Sequence, residues 1–149
     1  MRSRLAHAAG VVFVATAWML SGCQSDGGNG NISPMQHPML ENVPIPRGFR
    51  IVDSRSRSGA AAGGQRWARC TFTGGLERGA TVKFYEDNMP TAKWQERERR
   101  FENGVFELRY DNPIGETCVV FVRNGFLSTE IEVDLKHRTN GGRAASPPP

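Results

Sequence analysis

Three cysteines and three histidines are the residues of this 149-residue chain best suited to nucleophilic, redox or metal chemistry. Cys23 stands where an apolar run ends and the polar stretch Gln24–Asn31 begins. Its thiolate is the strongest side-chain nucleophile available for forming a thioether. Cys70 and Cys118 both fall in segments that read as strands, each with its thiol on the inward face. In an oxidising compartment they can pair as a disulfide; the opposing expectation is two separately buried free thiols. A Cys–His nucleophile pair needs a histidine held by packed structure. His37 lies in a tether-like stretch and His137 ends the last strand, so neither meets that need. Metal ligation requires three or four convergent Cys, His or carboxylate groups, and neither that spacing nor a glycine-rich phosphate loop occurs. The expectation is a chain that is not an enzyme and carries neither cofactor nor metal.

The segment that positions Cys23 has its own logic. Arg2 and Arg4 precede Ala8–Leu20, an uncharged apolar run. A basic start, a short apolar stretch and then small residues form the layout of a secretory signal peptide, and the run is shorter than the roughly 20 residues a bilayer-crossing helix needs. Its end, Leu20-Ser21-Gly22-Cys23, resembles the lipobox of bacterial lipoproteins. That resemblance implies a diacylglycerol thioether on Cys23, cleavage just before it and an acylated new amino terminus. Several acyl chains, each CH₂ worth about 0.8 kcal/mol when buried, anchor a protein stably where one does not. In Gram-negative members an Asp after the Cys tends to retain the protein in the inner membrane. Gln24 stands here, which implies the outer membrane, periplasmic face.

The expected organisation is a signal peptide at 1–22, the acylated cysteine and a flexible tether at 23–40, one domain at 41–138, and a Pro-rich disordered tail at 139–149. Tether and tail are rich in Gly, Asn, Ser and Pro and poor in core-forming residues, too few to offset the entropy of ordering. About a hundred residues in between suit one domain. Removing residues 1–22 takes away Arg2 and Arg4, which leaves 17 of the 19 basic residues against all 15 acidic ones, a net charge near +2. A weak, scattered excess of this kind predicts no nucleic-acid partner, which would require clustered positive charge.

Within the domain, Phe49–Val52 predicts a short strand fading into a polar turn near Ser58–Gly64. Trp67–Phe72 alternates at period two, with Ala68, Cys70 and Phe72 on one face and Trp67 and Arg69 on the other. Val82, Phe84, Tyr85 and Met89 form an apolar helical stripe, with Thr81 as N-cap and Pro90 as stop. Four strands follow. Asn103-Gly104 and Asn124-Gly125 are strong hairpin turns, and Leu127, Thr129, Ile131, Val133 and Leu135 alternate inward along the last strand. The fold class is α+β in the order β-β-α-β-β-β-β, one amphipathic helix on a meandering antiparallel sheet. A second resemblance enters on Val43, Pro44, Pro46, Gly48 and Phe49, then Phe84, Tyr85, Met89, Pro90 and Trp94. This spacing is similar to small bacterial lipoprotein domains with a VPxPxGF opening and an FYxxxMPxxGW helix. It departs from them at Lys93, where that pattern has glycine. The resemblance implies a fold and an envelope address, and no activity.

Two patches stand out as partner contacts. Trp67 beside Arg69 is a candidate hot spot. Arg97 and Arg99, in QERERRFENG, share a strand face with Phe101; the competing reading is a charged edge that deters aggregation. The functional expectation is a cell-envelope lipoprotein, membrane-bound through its acyl anchor, serving as a non-catalytic binding or assembly module for an envelope protein. The alternative is a structural accessory subunit of a membrane complex, and the third reading, after these two, is an enzyme with an unrecognised site.

Overall fold

A computed structural model describes residues 32–61 and 63–138. The signal peptide expected at 1–22, Cys23 and the tail 139–149 lie outside the described residues. The fold is α+β, as the patterning requires. Strands β1 (Pro34–Met35) and β2 (Ile45–Pro46) pair as a small antiparallel ribbon. The main sheet is antiparallel throughout and is built from β3 (Arg50–Ile51), β4 (Arg57–Ala60), β5 (Arg66–Gly74), β6 (Gln95–Glu102), β7 (Val105–Asp111), β8 (Glu116–Asn124) and β9 (Thr129–His137). Its order is β3-β5-β9-β8-β7-β6, with β4 pairing the other half of the β5 edge. The segment expected as a polar turn is thus partly strand: Arg57–Ala60 pairs residue for residue with Arg66–Arg69.

One face of the sheet carries the core. Ala68, Cys70, Phe72, Leu108, Tyr110, Cys118, Val120, Val122, Ile131, Val133 and Leu135 are all buried there. Helix α1 (Arg78–Asn88) covers part of this face with Val82, Phe84, Tyr85 and Met89. The Glu77 carboxylate, not Thr81, caps it by accepting from the Ala80 N–H (3.1 Å). Thr81 lies buried one turn in and donates its hydroxyl to the Glu77 carbonyl. Pro90 opens a short 3-10 turn, and Lys93 ends it at φ 66°, ψ 25°. A glycine is the natural residue for that left-handed conformation, so the turn keeps its shape with lysine at a cost of about 1 kcal/mol.

The rest of the inner face is covered by the N-terminal segment, which corrects the boundary expected at residue 41. Leu40, Val43 and Ile45 are fully buried in the same core as the sheet. The His37 ring meets Phe72 edge-on at 5.4 Å, and Trp94 Nε1 donates to the Asn42 carbonyl at 2.7 Å. Residues 34–46 therefore belong to the domain. Individual apolar side chains fill gaps over β5, although the segment has no helical or strand period. Phe49 follows, its ring lying where a Cβ on Gly74 would be 2.5 Å away, so only glycine fits beneath it.

Two register details also depart from expectation. A bulge between Glu96 and Glu98 breaks the alternation of β6, and this puts Arg97 and Arg99 on opposite faces. Arg97 reaches Asp111, whereas Arg99 bonds Glu96 and the helix residue Glu86. The last turn is centred on Phe126 and Leu127, closed by the Gly125 N–H donating to the Ser128 carbonyl (2.7 Å). Leu127 thus faces outward at φ 57°, and β9 begins at Thr129.

Candidate functional site

The face of the sheet opposite the helix is open. One row across it reads Arg57, Arg69, Asp134, Val119, Arg109 and Glu98 on six successive strands. The next reads Thr71, Glu132, Phe121, Glu107 and Arg100. Both signs are interspersed, and most charges pair: Arg69 with Asp134 (2.9 Å) and Glu132 (3.8 Å), Arg123 with Glu132 (3.1 Å), Arg109 with Glu107 (3.6 Å). Exposed pairs of this kind are worth about 0–1 kcal/mol each. Their effect is to occupy most charges on this face within the domain itself.

At the β4–β5 border the pattern changes. Trp67 is 41% exposed and its indole lies across Gly59 on the neighbouring strand, 3.2 Å from where a Cβ would be. Arg55, Arg57, Trp67, Arg69 and Asp134 line a shallow depression of about 280 Å³ beside it. Arg55 and Arg69 are paired, Arg55 holding the Glu130 carboxyl below its usual range. Arg57 has no ion-pair partner among the described residues. The structure thus brings Trp67 and Arg69 together with Arg55 and Arg57, which sequence reasoning did not single out. Their signal was the alternation in Arg55-Ser56-Arg57, obscured because that stretch reads as a turn. Arg97 and Arg99 do not join this group; they sit on β6, at the opposite edge of the sheet. All eight residues of β6 are exposed, and its charges pair within the domain, as expected of an edge guarded against other strands.

The bridge considered between Cys70 and Cys118 does not form. Both are buried free thiols. Cys70 lies opposite Val133 and Cys118 opposite Leu135, so strand β9 runs between them. Two inter-strand spacings come to roughly 9–10 Å, beyond the roughly 7 Å limit on Cα separation for a disulfide. Burial pushes the Cys70 thiol up to about 11 and raises that of Cys118 further, which leaves neither a reactive thiolate. Met39 Sδ lies 3.8 Å from Cys70 Sγ.

A second polar cluster, also missed from sequence, closes one end of the sheet. The Glu116 carboxylate is buried and accepts from Arg66 Nε and Nη2 and from Asn112 Nδ2 (2.7 Å). Arg66 also donates to the Glu41 carbonyl (3.1 Å), tying the N-terminal segment to the sheet. The hydrogen bonds from Arg66, opposed by burial, hold the Glu116 carboxyl below its usual range. The carboxylate accepts three hydrogen bonds, two of them from one guanidinium, and so acts as a clamp. At the opposite end Phe126 and Leu127 are 93% and 91% exposed. Among the described residues no three or more His, Cys, Asp or Glu side chains are grouped to hold a metal, and no helix is long and apolar enough to cross a membrane. Comparisons with protein-family models, with curated proteins and with solved structures return no match to this chain.

Proposed function

We propose that this chain is an acyl-anchored lipoprotein of the cell envelope whose domain is a non-catalytic binding module. The apolar run ending in Leu20-Ser21-Gly22-Cys23 supports the anchor. One observation carries the binding reading: a half-exposed tryptophan beside a guanidinium with no ion-pair partner among the described residues interrupts a face whose other charges are largely paired. Aromatic and arginine side chains supply most of the energy at protein contacts. Arg57 suits an acidic group of an envelope protein, and the indole of Trp67 suits its apolar neighbour. Affinity capture from detergent-solubilised envelope tests this. The wild-type chain retains a defined protein, and Trp67→Ala with Arg57→Ala loses it while the fold is kept. Equal retention by wild type and variant contradicts the assignment.

A further inference from the structure

The turn between β8 and β9 carries an apolar pair that the fold does not use. Phe126 and Leu127 are adjacent, almost wholly exposed, and outside the core. Leu127 is held at φ 57°, where Asn or Gly is the residue of local preference. A branched apolar side chain is therefore disfavoured there twice, by conformation and by exposure to water. Single exposed apolar residues are ordinary on protein surfaces, but a contiguous pair at a projecting tip is what contact sites present.

The position of the tip identifies what it contacts. The chain joins the domain at Ile32–Ser33, where the Ser33 carbonyl accepts from the Arg47 N–H and Pro34 pairs with Pro46. From there Phe49 packs on Gly74, and Gly74 pairs with Thr129, the first residue of β9 after the turn. The N-terminal side of the domain and the Phe126–Leu127 tip thus share one end of the sheet. Arg138 leaves at the other end, bonded to the Gly115 carbonyl. The nine residues from Cys23 to Asn31 can reach at most about 30 Å, and the nine-residue strand β9 is itself about 30 Å long. An anchor at Cys23 accordingly joins the domain on the side of Phe126 and Leu127 and not on the side of Ile114.

We infer that Phe126 and Leu127 form a second membrane contact, entering the headgroup–acyl border of the bilayer to which Cys23 is tied, so that the domain stands end-on with its Trp67 face turned sideways. This rests on the acyl-anchor reading above. Arg47 and Arg50, exposed at this end, are placed to meet lipid phosphates, but Glu77 and Glu102 lie at the same end. The apolar pair, not net charge, carries the contact, which makes it insensitive to salt.

The test uses the full-length acylated protein in vesicles of phosphatidylethanolamine and phosphatidylglycerol, with an environment-sensitive fluorophore on Phe126→Cys. Cys70 and Cys118 are fully buried and do not take up the label. The expected result is a blue-shifted emission, quenched several-fold more by a lipid-borne nitroxide than the same fluorophore on Ile114→Cys and unchanged by added salt. Emission at 126 as water-like as at 114 overturns the inference. So does quenching that appears only at high protein density, which would make a second copy the occupant. Failure of the anchor reading shows separately, as an unmodified Cys23 by mass in the same preparation.

Discussion

At one end of the sheet the base of the turn between β7 and β8 is clamped, with Asn112, Glu116, Arg66 and the Glu41 carbonyl satisfying one another beneath the exposed Ile114. At the other end the turn between β8 and β9 holds Phe126 and Leu127 in water, one of them in a backbone conformation that suits neither its size nor its branching. The closed end binds three separate parts of the chain together, so its residues report on stability. The open end binds nothing within the domain, so its residues should report on contact and scarcely on stability. An apolar side chain that is costly where it stands and unused by the core is available for contact, whereas a buried charge held by three hydrogen bonds serves the fold.

The largest effect should come from the closed end. Leu40→Ala removes a fully buried side chain next to Glu41 and should cost about 3 kcal/mol in urea unfolding. A change near zero would mean that residues 34–40 are a tether after all. Arg66→Ala should cost about 2 kcal/mol, because it leaves the Glu116 carboxylate buried with fewer donors while the lost guanidinium was itself partly exposed. It should also change the pH dependence. The folded-state pKa of Glu116 lies below its ordinary 4.5, so its contribution is present above that value and is lost as pH falls through the folded-state pKa. Wild type should therefore lose stability on the acid side more steeply than Arg66→Ala; parallel acid limbs would show that the clamp does not hold the proton off.

Smaller effects sharpen the contrast. Lys93→Gly should stabilise by about 0.5–1 kcal/mol by relieving a left-handed residue in the turn after the helix. A loss would mean that the lysine stem packs there. At the open end, Phe126→Ser with Leu127→Asn should leave unfolding within about 0.5 kcal/mol of wild type, since neither side chain is buried. A cost like that of Arg66→Ala would return the tip to the fold and remove the distinction between the ends.

The central part of the fold was legible in sequence because its periods are clean. Strands β5, β7 and β9 alternate, β8 reads as a short apolar run between turns, and Val82, Phe84, Tyr85 and Met89 mark the helix. The N-terminal cover was not legible: Leu40, Val43 and Ile45 are isolated among prolines and polar residues, and only the groove over β5 makes them core. The strand reading put Cys70 and Cys118 on inward faces, but did not show that β9 lies between them, because lateral strand order is a tertiary property. A bulge shifts facing without marking composition, so Arg97 and Arg99 read as neighbours on one face. Asn124-Gly125 suggested the hairpin correctly but two residues early, which hid the exposure of Leu127. Of the candidate contact, Trp67 and Arg69 were visible as an outward pair, whereas Arg57 needed β4 to bring it alongside.

The proposed function puts a folded domain on a lipid surface, and the mass of the mature N-terminal peptide, taken from the full chain extracted from membranes, tests that proposal most directly. The account predicts a chain beginning at Cys23 with a diacylglyceryl thioether on its sulfur. An unmodified Cys23, or a chain still carrying residues 1–22, would contradict it.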